Sequence, residues 1–572
     1  MSSTAKHWRL VPADNDLVHS LSASLGCSDV IARLLVQRGV VEEAAARRFL
    51  DPGFHQLPDP FLLPDAELAV ERLRQAISSK ERIFVHGDYD GDGVTSAALW
   101  TRLLQRLGAD VLVHVPHRRH DGYDMRAAFV QRAKEAGAKL ILTTDCGIQR
   151  CEEVEQARQA GIDVVITDHH EPPDELPRAV AVVNPHRVDS DYPFPHLAGV
   201  GVAYRLGEAL IQRLGHSVDS YRRAYGDLAA IGTVTDVMPL MEDNRVIVKQ
   251  GLAALSTTNK PGLQALMHEA KIPADKLTAY RVGYQLGPRL NAIGRVDDAR
   301  FALELLLARD APEAIQLAAQ LEKANFDRRL AQAKVLEEAL RLVDTIDVAE
   351  HRCLVIAGAG WHHGVLGLVA NRLVEQYNRP SIVISTDAET GLGRGSARSI
   401  RTFDLFEAIS VCGDLLEEFG GHQHAAGFSI RADRVPEFQE AMAQIADELL
   451  TDEDLQPVLD VDAEVPVESC SMKMLEEMMD MEPCGRGNER ARMVCRGVRV
   501  AQSRRIGAEG KHLKLLLHTG AQEPLDAIWW GQGDRADGLG GGTIDVCFRL
   551  EENNFNGRIR PQMVLEDLRT SG

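Results

Sequence analysis

The chain has 572 residues, with 64 Lys and Arg against 84 Asp and Glu for a formal charge of −20, and it is 45% apolar and 26% charged. That balance suits a globular protein and excludes collagen-like, mucin-like and largely disordered classes. At roughly 100–200 residues per domain, the length predicts about three or four domains. No apolar run nears the ~20 residues that span a bilayer, and the polar stretch from Met1 to Asp16 does not read as a signal peptide. The nine cysteines include no C-x-x-C pair and read as reduced thiols, which predicts a soluble protein of the cytoplasm.

Residues 1–80 have a mostly helical pattern broken by Pro52, Pro58, Pro60 and Pro64, and are expected to form an N-terminal helical cap. From Arg82 the rhythm changes. Strands are predicted around Ile83 to Val85, Val111 to Val113, Lys139 to Thr143 and Ile162 to Thr167. Helices at Ser96 to Leu107, Met125 to Glu135 and Cys151 to Gln159 alternate with them. This βαβα pattern predicts a parallel sheet over 81–240, whose ligands gather at the carboxyl ends of the strands. Residues 241–345 read as helical and include a long amphipathic helix from Pro312 to Val343, roughly 45 Å long at 1.5 Å per residue. A second α/β domain follows at 346–450. The tail at 455–572, with short alternating strands and Gly-rich turns, predicts a small β-barrel.

An acidic chain argues mildly against nucleic acid as a partner, but the charge is split locally. Asp452 to Glu482 carries eleven acids and one Lys, whereas Cys484 to Lys514 carries nine Lys and Arg and two Glu. The reversal suggests an acidic approach segment followed by a domain with a basic surface.

Three strand ends carry the chemistry. The first runs into His86-Gly87-Asp88-Tyr89-Asp90-Gly91-Asp92-Gly93, the third into Asp145 and the fourth into Asp168-His169-His170. One acid at a strand end is commonly a helix cap, and Asp92 and Thr95 are placed to cap the next helix. Three clusters on one rim point instead to a metal site. Crowded carboxylates repel one another unless cations neutralise them. Carboxylate and imidazole ligands without thiolates suit Mn²⁺ or Mg²⁺, and a bridging carboxylate would hold two ions about 3.5–4 Å apart for phosphoryl transfer.

H-G-D-Y-D-x-D-G followed by D-C-G and D-H-H resembles the DHH phosphoesterase superfamily. The resemblance implies that His86, Asp90, Asp92, Asp145, His169 and Asp236 ligate the metals, with Asp145 bridging. It implies that Asp168 orients the site, that His170 faces the substrate phosphate, and that Asp88 supports its loop. Thr235 stands where relatives often have Ala before the last acid.

Further stretches resemble the RecJ exonucleases within that superfamily: Gly287 to Arg295, reading G-P-R-L-N-A-I-G-R; the helical segment with Asn325, Arg328 and Arg329; and Gly420-Gly421-His422, typical of a DHHA1 domain. Arg289 and Arg295 offer forks suited to phosphate. The resemblance implies substrate contacts from Arg289, Asn291, Arg295, Asn325, Arg328, Gly421 and His422, and a 5′-phosphate pocket of Arg118, Ser396 and Arg398. It implies a DHH domain, a long connecting helix, a DHHA1 domain and a C-terminal OB-fold that binds single strands through a basic groove and stacking aromatics. The candidate aromatics are few: Trp529, Trp530 and Phe555. The stretch Pro483 to Arg490 departs from the family's usual P-x-G-x-G-N-P-E-P.

The activity so implied is a 5′→3′ exonuclease specific for single-stranded DNA. It would release 5′-mononucleotides with Mn²⁺ or Mg²⁺, in recombination, mismatch repair and base-excision repair. Single-strand-binding protein and a RecQ-type helicase are the expected partners, with no membrane role. The alternatives are a DHH hydrolase of short oligoribonucleotides or cyclic dinucleotides, and a non-catalytic replication scaffold.

Overall fold

The computed structural model describes residues 6–117, 121–122, 124–296, 298–520, 523–555 and 557–570, without the side chains of Arg295, Val296 and Phe555. The chain divides into two units. One is formed by residues 8–294, 298–321 and 460–572, and the other mainly by residues 322–459.

At the centre of the larger unit is a five-stranded sheet. Its spatial order is Asp110–His114, Arg82–Gly87, Leu140–Thr144, Asp163–Thr167 and Ala181–Val183, and every neighbouring pair is parallel. Such sheets are covered on both faces, so their strands read as continuous apolar runs. Leu140–Thr144 is accordingly buried at all five positions. The register levels the strand ends: Gly87 lies opposite Thr144, and Thr144 opposite Thr167. Asp88, Asp145 and Asp168 therefore emerge side by side. The strand order reverses between Arg82–Gly87 and Leu140–Thr144, which is where sheets of this class hold ligands.

Helix Gly91–Arg106 leaves the first strand and is buried along most of its length. The cap of this helix is Asp90, whose carboxylate accepts from the amides of Asp92 (2.9 Å) and Gly93 (3.0 Å). The expectation that Asp92 caps it is corrected: Asp92 faces a different helix. Helices Gly199–Arg213 and Val218–Thr235 pack against Gly91–Arg106, and Val218–Thr235 ends at Asp236. Ala66–Ser78, at the end of the expected cap, packs onto the Ala181–Val183 edge of the sheet. Asp65 fastens it there by accepting from Val182 N (3.0 Å) and Arg187 Nη1 (2.7 Å).

The C-terminal part of this unit is a ring of strands. Met493–Ile506, His512–Leu517, Leu525–Trp529, Arg558–Thr570 and Thr543–Phe555 pair in that order, and the last pairs back with the first. Alternation puts Leu513, Leu515 and Leu517 inside the ring with Val546 and Phe548.

The smaller unit holds a five-stranded sheet in the order Leu416–His422, Ala425–Arg431, Leu392–Arg398, Ser381–Thr386 and Leu354–Ala359. Its first three pairings are antiparallel and the last is parallel. The helix Ala311–Val343, 33 residues long, contributes its residues from 322 onward to this unit. There Val335, Ala339 and Val343 pack with Trp361, whose indole N–H donates to Glu338 (2.7 Å). Among the described residues no helix is long and apolar enough to cross a membrane.

Candidate metal centre

The rim of the parallel sheet collects three overlapping groups of ligating atoms, each group lying within 4.8 Å: Asp88, Asp90 and Asp145; Asp92, His169 and Asp236; and Asp145, His169 and His170. His169 Nε2 is central, 3.1 Å from Asp145, 3.7 Å from Asp236 and 4.0 Å from Asp92. Asp145 stands at φ 61°, an unusual conformation for a residue other than glycine, and its amide is tied to Thr167 O (2.9 Å). The strained turn aims its carboxylate across the strand ends. A Cβ on Gly199 would lie 2.6 Å from the Asp145 Cβ, so glycine at that position permits the approach.

Asp92 is gripped from above by the start of Gly199–Arg213. Its two oxygens accept from the amides of Gly199 (2.7 Å) and Val200 (2.8 Å), a helix N-terminus holding an anion. Asp168 is a hub: it accepts from Ile148, His169 and His170 amides and from His170 Nδ1 at 2.7 Å. Asn184, at the end of the fifth strand, donates to His170 O (2.8 Å) and is completely buried. Asn291 Oδ1 accepts from Gly91 N (2.6 Å), so this side chain braces the metal loop.

The electrostatics show what the rim lacks. Burial, with Asp92 and Asp90 nearby, pushes the Asp145 carboxyl far above the usual range. Burial and Asp90 do the same to Asp88, and they raise Asp92 to about 7. Burial and the Asp92 charge lift Asp236 to about 9. Asp88 Oδ1 and Asp236 Oδ2 are buried with no hydrogen-bond partner, and Asp145 Oδ1 is buried facing His169 Nε2 at 3.1 Å. A divalent cation supplies the missing counter-charge, and oxygen and imidazole donors without sulfur fit Mn²⁺ or Mg²⁺. The Asp168–His170 pair behaves oppositely. Burial pulls His170 down, but its hydrogen bond to Asp168 and that charge raise it to about 9. Burial raises Asp168, yet the bond from His170 holds it below the ordinary range.

Asp90, Asp92, Asp145, His169, His170 and Asp236 thus come together. Asp88, expected to support the loop, joins the clustered donors. His86 is not among those groups: its ring is fully buried, stacked at 5.5 Å on His114 and 4.7 Å from Phe129, both ring nitrogens are buried without a hydrogen-bond partner, and burial followed by His114 lowers it to about 3. Asn184 escapes the sequence pattern because the fifth strand, only three residues long, is too short for periodicity to mark. The amides of Gly199 and Val200 carry no side-chain signal to read.

The expected substrate residues are divided between the units. In the larger one Arg289 is buried and donates to Gln285 O in its own helix (2.5 Å). Arg118 and the Arg295 side chain lie outside the described residues. In the smaller unit, Arg398 is half-buried beside Ser396 (3.5 Å), and a Cβ on Gly367 would reach both. Gly421 has φ 156°, and a Cβ there would lie 2.4 Å from Ala425 O, so the backbone turn requires glycine. His422 follows it on the exposed strand Leu416–His422. Asn325 is buried with Oδ1 lacking a hydrogen-bond partner, and Arg328 Nε also lacks one.

The basic surface expected of residues 484–514, which include the first ring strand, is corrected by the structure. Six of its nine cations are in ion pairs: Arg490 with Glu482 and Glu551, Arg492 with Glu566, Arg496 with Glu464 and Asp545, Arg505 with Asp534 and Asp537, Lys511 with Glu509, and Lys514 with Asp526. Acidic and basic runs partly neutralise each other, so the surface left to phosphates is Arg486, Arg499 and Arg504, all exposed. Trp529 is buried, whereas Trp530 is exposed and sits edge-on to His512.

The altered loop 483–490 is a brace. Arg245, completely buried and 3.8 Å over the Phe49 ring, donates to the carbonyls of Phe49 (2.6 Å), Pro483 (3.0 Å) and Glu482 (3.2 Å). Arg38 Nε donates to Asn488 Oδ1 (2.6 Å), and Leu240 N donates to Arg486 O (2.7 Å). The loop thereby fastens the N-terminal helices to the segment that follows Asp236.

Family models match this chain in three places: the DHH family N-terminal domain at residues 82–233, the DHHA1 domain at 350–448 and the RecJ OB domain at 461–567. The fold and rim therefore define a DHH protein of the three-domain DHH, DHHA1 and OB class. Over 572 residues the chain is 38% identical to the single-stranded-DNA-specific exonuclease RecJ of Bacillus subtilis, covering 100% of this chain and 72% of that one. Its identity to RecJ of Dickeya dadantii is 34%, covering 97% of each. The crystal structure of Thermus thermophilus RecJ in complex with Mn²⁺ superposes with a TM-score of 0.85 at 31% identity, covering 100% of this chain and 80% of that one. The chain belongs to the RecJ family of exonucleases.

Proposed function

We propose that the chain is a divalent-metal-dependent exonuclease specific for single-stranded DNA, degrading it 5′→3′ to 5′-mononucleotides. One observation carries this reading: in a RecJ-family chain, the sheet rim holds a crowded, largely buried cluster of Asp88, Asp90, Asp92, Asp145, His169 and Asp236. Asp90, Asp92, Asp145, His169 and Asp236, with Asp88 in addition, are the residues that would hold Mn²⁺ or Mg²⁺. When bound, the ions lower the pKa of water and offset negative charge on the scissile phosphate.

The chain's own groups do the rest. Asp168 fixes the His170 ring by accepting from Nδ1 and favours its protonated form, and the side chain is 43% exposed beside the cluster. That imidazole is suited to donate to a phosphate oxygen. Arg118, Ser396 and Arg398 are assigned to the phosphate of the 5′ end, Gly421 and His422 to the substrate backbone, and Arg499 and Arg504 on the ring to phosphates further along. The working division is 1–80, 81–240, 241–345, 346–450 and 455–572. Recombination and repair in the cytoplasm are the assigned setting, with single-strand-binding protein and a RecQ-type helicase as partners.

The test is degradation of an end-labelled 50-mer, single- and double-stranded, with Mn²⁺, Mg²⁺ or chelator. Metal-dependent release of the 5′ label as mononucleotide from single strands alone supports the activity, its polarity and its strand preference. Binding without degradation under any metal would replace it with a non-catalytic scaffold.

A further inference from the structure

We infer that Tyr280 and Tyr284 form a base-stacking platform for the single strand, beside the metal centre and outside the OB ring. The inference rests on the exonuclease reading for its ligand and on the following geometry for its place.

The two rings stack at 4.5 Å between centroids with 30° between planes, and 44% of Tyr280 and 71% of Tyr284 is exposed. Among the described residues it is the stacked ring pair with both members at the surface. The tyrosines lie at the start of the helical run Ala279–Arg281, Val282–Leu286 and Gly287–Val296, whose middle segment is a π-turn. Such turns recur at functional sites. The inner side of the run is fixed: Val282 and Leu286 are fully buried, and a Cβ on Gly287 would lie 2.6 Å from Thr235. Thr235 precedes Asp236, and Asn291 on the same run holds the metal loop at Gly91. The tyrosines are thus mounted on the helical run whose next segment packs on Thr235 and bonds the metal loop at Gly91.

Tyr280 is covered by Tyr284 and by the Arg490 guanidinium, 5.0 Å from its centroid. Arg490 is itself held by Glu482 (3.1 Å) and Glu551 (3.5 Å). Tyr284 is left as the outer ring, ready to take one more planar group. The surroundings are charged, with Lys276 paired to Glu552 (3.2 Å), which leaves the two rings as a small apolar island. Stacking on an aromatic ring tolerates any base, and it complements an OB ring in which Trp529 and Phe548 are buried.

The experiment compares full-length wild type, Tyr284→Leu and Tyr284→Phe, with binding of a fluorescent single-stranded 20-mer read by anisotropy in chelator. Tyr284→Leu is expected to weaken binding about tenfold while Tyr284→Phe binds as wild type, because stacking needs the ring and not the hydroxyl. A 20-mer with abasic residues throughout should bind all three alike. Equal binding of the normal 20-mer by Tyr284→Leu and wild type would overturn the platform. Cleavage with Mn²⁺ is scored separately: a wild type that binds through Tyr284 but never cleaves refutes the exonuclease and leaves the platform standing. No binding of single strands by wild type would overturn both.

Discussion

The sheet rim and the OB ring are both rich in charge, and they treat it in opposite ways. At the rim, Asp88, Asp90, Asp92, Asp145 and Asp236 crowd together against one buried imidazole, His169, whose own ring is pushed down to about 4 by burial and by His170. On the ring, many of the arginines and lysines are paired with acids, down to Arg549 against Glu566 at 2.5 Å. A charge that the fold has already paired is spent on structure, whereas a buried charge left without a partner marks a ligand that the chain does not supply. The location of uncompensated charge, rather than its abundance, points to function.

The hardest blow to this contrast is Asp145→Ala. It removes the carboxylate shared by two of the clustered groups, and cleavage should fall by about a thousandfold or more with single-strand binding retained. Turnover near wild type would show that the rim is not the centre. Gly199→Ala is a subtler strike. The added methyl would meet the Asp145 Cβ and Oδ1 at 2.6 Å without removing any ligating group, so a loss of roughly a hundredfold, with normal far-UV circular dichroism, is expected from misplacement of that carboxylate.

The rim's electrostatics also give a sign for pH. Without a cation, Asp92 titrates near 7, Asp236 near 9, and Asp88 and Asp145 higher than a normal carboxyl. The folded chain then holds protons that the unfolded chain loses near 4. Stability of the metal-free protein should therefore fall as pH climbs from about 4 to 9. Mn²⁺ displaces those protons, so its affinity should rise with pH across the same window. Calorimetry at pH 7 in two buffers of different ionisation enthalpy should show net proton release. Heats that are the same in both buffers would mean that the carboxylates were already ionised.

This contrast explains what could be read from the sequence. Strand ends of a parallel sheet converge by topology, so Asp90, Asp92, Asp145 and His169 can be placed together from the βαβ rhythm and their positions within it. The register does what the pattern foretells, setting Gly87, Thr144 and Thr167 level. Ion pairing on the ring has no such rule. Arg492 meets Glu566 and Arg490 meets Glu551 across more than sixty residues, so a count of nine cations in one stretch gives no hint that six are engaged. His86 shows a third case: motif spacing identifies the residue, but the packing of His114 and Phe129 around its ring is a tertiary fact. The helix cap falls to Asp90 rather than Asp92 for a similar reason, since both are equally good caps locally and only the distant Gly199 and Val200 amides decide between them.

The smallest expected effect is the sharpest test of the ring. Arg499 and Arg504 project from Met493–Ile506, and Arg504 lies opposite Lys514 in the strand pairing. Like charges directly opposed weaken a sheet unless something else compensates. Lys514 is compensated by Asp526 at 2.8 Å, which leaves Arg504 as the cation with charge to offer a phosphate. Arg499→Glu combined with Arg504→Glu should therefore weaken single-strand binding and flatten the slope of log affinity against log salt by about 1.4, at ~0.7 for each phosphate no longer neutralised. Arg492→Glu reverses the same charge but breaks the bond to Glu566 at 2.6 Å. It should leave that slope unchanged and cost about 1–3 kcal/mol of stability instead. If the two variants flatten the slope equally, paired and unpaired arginines are equivalent to the strand, and the contrast between rim and ring fails on the ring's side.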